Sequence, residues 1–346
     1  MGSSPSDFPG DSTPPERPGR ADFRADDLPP LRRDPPEGYL RRKPQTFGRP
    51  DPLWRYIVLF FLTLLTTTIA GADQYASFQL GFAERSLQIT QAELLLGGFW
   101  YSIPILAILG CHEMGHYLAC RYYGVESSRP YFLPMPIVLT GTLGAFIRIR
   151  QPIPNKRQLF DIGIAGPIAG FVVAVPVLFA GMYLSRVTEL PRDFEGNLFW
   201  LGEPLLFKAA AWLTFGPVPE GFAVNMHPVG FAAWFGLLAT ALNLFPIGQL
   251  DGGHISYAVL GRRSTAVTLV MIGCLVALTF WSLSWAVWAG LMVLMLLTFG
   301  PRHPRTPDED EPLDPARKRL ALFALVMFVL CFTPAPIEPL DLVKAP

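Results

Sequence analysis

The chain is 346 residues long and carries 28 Lys plus Arg against 28 Asp plus Glu, so its formal net charge is zero. Hydrophobic residues make up 51% and charged residues 16% of the sequence, where soluble domains carry roughly 25% charged residues. That composition, with a mean hydropathy of +0.33, argues against a soluble enzyme and against a nucleic-acid-binding protein, which needs a basic surplus to meet phosphates. Long apolar runs predict an all-α polytopic membrane protein.

Residues 1–55 hold 12 of the 35 prolines, ten basic and nine acidic residues, and no apolar periodicity. Such a segment cannot bury enough surface to offset its chain entropy, and a disordered Pro-rich tail is expected over residues 1–53. It has no apolar h-region and is too acidic for an organellar transit peptide. Apolar segments follow at Tyr56–Ala72, at Leu94–Cys111 (continuing in helical composition through Tyr123), at Leu159–Leu184 and at Val229–Pro246. Ala266–Gly300 is too long for one helix and suits two short ones with a break near Trp281–Ser284, and Leu320–Phe332 is a short candidate for a seventh span. A span needs about 20 residues at 1.5 Å rise, so six or seven transmembrane helices are predicted, the shorter ones tilted or in locally thinned bilayer. The four cysteines, Cys111, Cys120, Cys274 and Cys331, are irregularly spaced and form no CxxC; free thiols are expected rather than disulfides.

Lys and Arg orient the spans. Arg41, Arg42, Lys43, Arg49 and Arg55 crowd the first one, which puts the N-terminus in the cytoplasm. The segment 124–157 then faces the cytoplasm with five basic residues and one acidic, and the connector 187–227 lies outside as a loop with five acidic and two basic. On this topology the cytoplasmic side carries 23 basic and 15 acidic residues and the outer side 5 and 10; Glu113, Asp161 and Asp251 fall in or at the edge of the spans.

The second span contains His112-Glu-Met-Gly-His116. Positions i and i+4 share a helix face, so both imidazoles can point at one metal, while Glu113 is turned aside into the position of a general base. Ionisable residues inside a membrane helix are costly to bury and functional by default. His112 lies 18 residues beyond Leu94, roughly 27 Å of helix, which sets the motif toward the cytoplasmic side. A catalytic zinc takes three protein ligands and keeps one open position. The run Asn243-Leu-Phe-Pro-Ile-Gly-Gln-Leu-Asp-Gly-Gly-His254 supplies candidates at similar depth. Asp251 is a suitable third ligand, with His254 as its competitor. Pro246 would end the preceding helix and Gly252 and Gly253 would let the chain turn tightly. Asp161 is read as a carboxylate favoured by a helix N-terminus, Cys111 as lying on a different face from His112, His227 as too far from the metal at the outer end of the fourth span, and His303 as solvated in a basic connector.

The pair HEMGH at 112–116 and N-x-x-P-x-x-x-L-D-G-G at 243–253 resembles the site-2 protease family of intramembrane zinc metalloproteases, over about residues 54–300. Phe132–Pro136, Gly141–Ile147, Phe160–Pro167 and His227–Pro228 are similar to its compact plastid and bacterial branch, which includes the ethylene-dependent gravitropism-deficient proteins of plants. The resemblance implies one Zn2+ per chain held by His112, His116 and Asp251. It also implies Glu113 as catalytic base, Asn243 holding substrate or the oxyanion, and His254 supporting the ligands from behind. The implied reaction is hydrolysis of peptide bonds within transmembrane segments of membrane-anchored proteins. A membrane-tethered regulator such as an anti-sigma factor is one implied substrate class, and a bacterial inner membrane, with the active site toward the cytoplasm, the implied location. Residues 54–300 would form the metalloprotease domain, and residues 301–346 a charged connector, the candidate seventh helix and a short tail. The loops are too short for a PDZ domain, and the 47 residues after Phe299 too few for a pair of CBS domains, so neither module is expected.

Tyr131–Pro136 is broken by proline, and Leu139–Ile149 mixes Thr, Gly and β-branched residues. Composition fits a cytoplasmic loop as well as a hairpin; the resemblance favours a re-entrant β-hairpin that offers an edge to an unwound substrate. Two competing readings are a catalytically silent relative acting as a membrane chaperone and a metal transporter. The first would have lost Glu113 or a histidine, and the second would place more ionisable residues along the spans.

Overall fold

The computed structural model describes residues 51–81, 89–136, 139–190, 199–300 and 303–339; the tail expected over 1–53 lies outside them up to residue 50. Helix α1 (Leu53–Leu80) is apolar over Tyr56–Ala72 apart from its threonines, which turn their hydroxyls back onto the helix's own carbonyls: Thr63 donates to Leu59 and Thr68 to Leu64, each at 2.7 Å. Helix α2 (Gln91–Tyr122) starts from a capping box in which the Thr90 side chain accepts from the Glu93 N–H and the Glu93 carboxylate accepts from the Thr90 N–H. It runs unbroken through the HEMGH motif. The two helices touch backbone to backbone, because a Cβ on Gly98 would strike the Thr68 carbonyl oxygen; Thr68 also donates to Ser102 at 3.1 Å.

The strand-like stretch is a hairpin. Strands β1 (Tyr131–Pro134) and β2 (Thr142–Phe146) pair antiparallel, with Tyr131 opposite Phe146. Its base is clasped to the start of α1: Tyr131 stacks on Tyr56 at 4.4 Å, and Arg150 donates to Asp51 at 2.7 Å. The Tyr131 hydroxyl and Arg150 together hold the Asp51 carboxyl below its ordinary pKa. The turn end lies well along α2, where the Tyr101 hydroxyl donates to the Thr140 carbonyl at 2.9 Å. Gly141, at φ 69°, passes so close to the Thr66–Thr67 backbone that only glycine fits. Tyr101 is ten residues into α2, about 15 Å from its start, so the hairpin folds back along both helices, as expected of a re-entrant element.

Helix α3 (Lys156–Leu184) is capped by Asn155, whose side chain accepts from the Gln158 N–H. Beyond it the connector 187–227, expected as a loop, carries regular structure. Strand β3 (Arg186–Glu189) pairs with β5 (Phe222–Asn225), β4 (Phe199–Leu201) pairs with the C-terminal β6 (Ile337–Pro339), and α4 (Leu205–Phe215) lies between them. At 11 residues α4 is too short to register as a span, yet it buries Phe207 and Ala210 against the core. Helix α5 (Pro228–Leu244) is central, with 14 of its 17 residues buried; Trp234 and Leu237 pack there with Ile105 and Ile108 of α2 and Leu178 of α3.

The chain then forms α6 (Asp251–Leu260), a 3-10 turn over Gly261–Arg263, α7 (Ser264–Trp281), α8 (Trp285–Phe299) and α9 (Pro315–Cys331). The break between α7 and α8 falls at Ser282–Ser284, where expected. Among the described residues four helical stretches are long and apolar enough to cross a membrane: Leu53–Leu80, Gln91–Tyr122, Lys156–Leu184 and Asp251–Trp281. Apolar helices α4, α5 and α8 are shorter. The six or seven spans predicted thus resolve into four of full length and several shorter helices, and the chain is an integral membrane protein. Helix α9 runs from one end of the bundle to the other. It starts with Arg317 bonded to Asp161 near the start of α3, and leads to β6 on β4, beyond the far end of α3. Asp161 therefore owes its place to Arg317 and to the Tyr123 hydroxyl, which donates to it, rather than to the helix N-terminus alone.

Candidate metal centre

Helix α2 presents His112 and His116 one turn apart on a buried face, with Glu113 between them; all three are 6–7% exposed. Asp251, the first residue of α6, meets them from the other side. The three donor atoms form a nearly equilateral triangle: His112 Nε2 to His116 Nε2, His116 Nε2 to Asp251 Oδ2, and His112 Nε2 to Asp251 Oδ2 are each 3.2 Å. Ligands at about 2.0–2.1 Å from a tetrahedral zinc stand about 3.3 Å apart, so the triangle has the edge length of one face of a zinc tetrahedron. Tautomer chemistry agrees. His116 Nδ1 lies 2.7 Å from the Ile162 carbonyl oxygen, which can only accept, so this nitrogen carries the proton and a neutral ring presents a bare Nε2. A bare nitrogen facing a carboxylate oxygen at this distance needs a cation or a proton between them. The group can hold one metal ion.

Two other residues singled out in the sequence line the same point. Glu113 Oε1 is 4.0 Å from His112 Nε2, close to the ligands but outside the triangle, and the Ile147 backbone just beyond β2 lies beside its carboxylate. Asn243, near the end of α5, places Nδ2 3.4 Å from His112 Nε2.

Glycines make the assembly possible, though not in the way the sequence suggested. Gly252 and Gly253 are helical residues; the positive φ of the turn before Asp251 belongs to Gly248, at 53°. Gly252 and Gly253 are needed because a Cβ on either would strike the carbonyl of Leu244 or Gly248, so α6 can start immediately against the end of α5. On α3, Gly166 lies directly under His116, and Gly170 lies 3.1 Å, measured from an added Cβ, from the Cβ of His112. A Cβ on Gly115 would strike the Ala165 carbonyl. The Gly166–Gly170 stretch is thus the floor of the site.

His254 does not join the triangle. Its Nδ1 lies 2.7 Å from His303 Nε2, and the His303 ring stacks on Tyr257 with centroids 4.3 Å apart. His303, expected in solvent, is half-buried, and burial pushes its imidazole below the ordinary pKa. His227 caps α5 between Phe78 and Trp100, away from the triangle. Cys111 and the other three cysteines are free. Sequence reasoning missed the Ile162 carbonyl, the Ile147 backbone and His303; backbone atoms and contacts 49 residues apart leave no spacing signal.

A polytopic membrane protein with a buried His-His-Asp centre and an adjacent glutamate has the makeup of a membrane metallohydrolase. Residues 100–280 match the family described as Peptidase family M50, and the chain belongs to that family. It is 31% identical over 256 residues to the rice protein named "Probable zinc metalloprotease EGY2, chloroplastic", covering 72% of this chain and 45% of the relative. It is 30% identical over 324 residues to the Arabidopsis thaliana protein named "Probable zinc metalloprotease EGY1, chloroplastic", covering 86% of this chain and 56% of the relative. The chain spans about half the length of the curated relatives it matches.

Proposed function

We propose that the protein is a site-2-type intramembrane zinc metalloprotease that hydrolyses peptide bonds within transmembrane segments of membrane-anchored proteins. The observation that carries this reading is the 3.2 Å triangle of His112, His116 and Asp251 with Glu113 at its edge. His112, His116 and Asp251 would hold one Zn2+, which when bound would supply a Lewis acid able to polarise a carbonyl and to make water acidic near neutral pH. Glu113 takes the proton from the attacking water and passes it to the leaving amide nitrogen. The Ile162 carbonyl keeps His116 in the ligating tautomer. Asn243 donates to the substrate carbonyl as negative charge grows there.

A substrate helix must unwind to expose its carbonyls. Strand β2 leads into Ile147 beside Glu113, so an extended substrate that adds to this edge runs past the base. We assign residues 54–300 to the protease domain, and 301–346 to a connector, helix α9 and a short tail. The basic residues around the first span support a cytoplasmic N-terminus; a bacterial inner membrane, and membrane-tethered regulators of the anti-sigma type as substrates, are part of the same proposal.

Full-length protein purified in detergent tests the reading, using bound zinc by elemental analysis and cleavage of a reporter transmembrane substrate as readouts. Glu113→Gln is expected to keep about one zinc and lose at least about 100-fold in rate. Undiminished cleavage by that variant would refute the mechanism.

A further inference from the structure

The connector between α8 and α9 lies outside the metal triangle, yet it bonds α6, which carries Asp251, and α3, which packs beneath the histidines. His303 is gripped by α6 through two side chains spaced three residues apart, His254 and Tyr257. His303 Nδ1 lies 2.7 Å from the Pro304 carbonyl oxygen, so in the neutral ring this nitrogen carries the proton, Nε2 is the acceptor, and His254 Nδ1 donates to it. Three residues on, the Thr306 N–H donates to the Tyr257 hydroxyl at 3.1 Å. The connector then crosses to α3. Both Asp308 carboxylate oxygens accept from the Lys156 N–H, at 2.9 and 3.1 Å, and buried Lys156 donates through Nζ to the Glu309 carbonyl at 2.9 Å. Leu313, 4% exposed, is wedged between Phe160 and Ile164 of α3 and Ile255 and Ala258 of α6. Finally Arg317, in the first turn of α9, bonds Asp161 of α3, which also accepts from Tyr123, the residue that ends the catalytic helix α2.

We infer that residues 303–317 form a clamp that holds α2, α3 and α6 in the register the metal triangle needs, with His303 and Arg317 as positioning residues. The inference rests on the proposed zinc site and names what keeps it assembled. Helix α6 needs such a hold. It has ten residues, its Asp251 stands at the first position, and its N-cap Leu250 offers no side-chain cap. The turn before it contains the left-handed Gly248. His254 is one helical turn from Asp251 on the same face, so fixing His254 fixes the direction in which the carboxylate points. Helix α3 carries the Ile162 carbonyl that orients His116, six residues from Lys156. Freeing α6 lets Asp251 drift, and freeing α3 lets His116 drift.

The test uses the full-length protein in detergent, loaded with zinc, and follows loss of metal to a chelator well below the unfolding temperature, alongside thermal unfolding. His303→Ala is expected to weaken zinc retention by about tenfold or more, the usual effect of removing a group that orients ligands. His303→Gln keeps an oxygen that can accept from His254 and is expected to restore most of the retention. Tyr257→Phe, which releases the Thr306 N–H and leaves both imidazoles in place, is expected to lose zinc faster by a few-fold, and it keeps the test open should His303→Ala fail to fold. Retention equal to wild type in His303→Ala, or in Tyr257→Phe where the alanine variant does not fold, overturns the clamp. So does zinc loss that tracks thermal destabilisation equally in the alanine and glutamine variants. A wild-type protein that binds no zinc would instead overturn the proposed site.

Discussion

Substituting Gly166 by alanine adds one methyl group to α3, and its consequence can be worked from the packing. The new Cβ would point into the His116 ring, against Nε2, the atom that completes the triangle. Restoring an ordinary contact of 3.4 Å or more requires a retreat of more than about 1 Å. Neither partner is free to give. The ring is tied to α3 itself through the 2.7 Å contact of Nδ1 with the Ile162 carbonyl, and the backbones of α2 and α3 already touch at Gly115 and Ala165. Metal–ligand distances tolerate about 0.2 Å, so zinc affinity should fall by at least about 10- to 100-fold. Cleavage should fall by about 100-fold or more, the typical effect of a 1 Å misplacement. Overpacking should also lower stability by about 1–3 kcal/mol. Gly170→Ala is the internal control: its Cβ would stand 3.1 Å from the Cβ of His112, a strain relieved by a few tenths of an ångström, and less than about tenfold loss is expected. Zinc titration against a competing chelator, with cleavage of a reporter substrate, reads both variants. Wild-type zinc affinity in Gly166→Ala would refute the view that α3 forms the floor of the site.

Two further outcomes follow from contacts elsewhere. Tyr101→Phe removes the hydroxyl that holds the Thr140 carbonyl and leaves that buried acceptor unpaired, at about 1–3 kcal/mol; limited proteolysis within residues 131–146 should accelerate relative to wild type, and an unchanged cleavage pattern would show that the bond does not anchor the hairpin. Removing zinc with a chelator should stop cleavage and lower the unfolding temperature, since a ligand at 1,000 times its Kd stabilises by about 4 kcal/mol; readdition of zinc should restore both, and a melting curve indifferent to the metal would argue against the triangle as its site.

The parts of the site legible in the sequence are those encoded by local spacing. His112 and His116 stand at i and i+4 within one uninterrupted apolar helix, and the structure brings their Nε2 atoms to 3.2 Å. Asp251 was legible only through a resemblance, because nothing in its spacing distinguishes it from His254; the distinction arises where His254 turns toward His303. Asp161 illustrates the same limit, its partner Arg317 being 156 residues away. Spans were found by hydropathy, whereas α4 was overlooked because 11 residues fall below the length that a bilayer demands. The glycines were assigned the wrong task. A Gly-Gly pair reads as a turn, but at Gly252 and Gly253 the requirement is close backbone approach, a property of the neighbouring carbonyls that sequence does not display.

Closeness on one side of the metal triangle decides where a substrate can arrive. Burying His112, Glu113, His116 and Asp251 together is costly unless each polar atom finds a partner. The chain meets this by pressing α3 onto α2 until glycine is the only residue that fits at positions 115 and 166. That side is therefore sealed, and no backbone could pass between Gly166 and His116. The opposite side is built differently. There Glu113 faces the Ile147 backbone at the end of a two-stranded hairpin. A cavity of about 260 Å3, lined in part by Thr66, Asp73, Pro136 and Leu139, separates α1 from the hairpin turn. A two-stranded sheet leaves unpaired N–H and C=O groups along its margin, and an unwound peptide carries the matching set. Under the proposed function the substrate enters between α1 and the hairpin, adds to the margin of β2 and reaches Glu113 with its carbonyls already released from their own helix, while α3 and the α8–α9 connector hold the ligands still from behind.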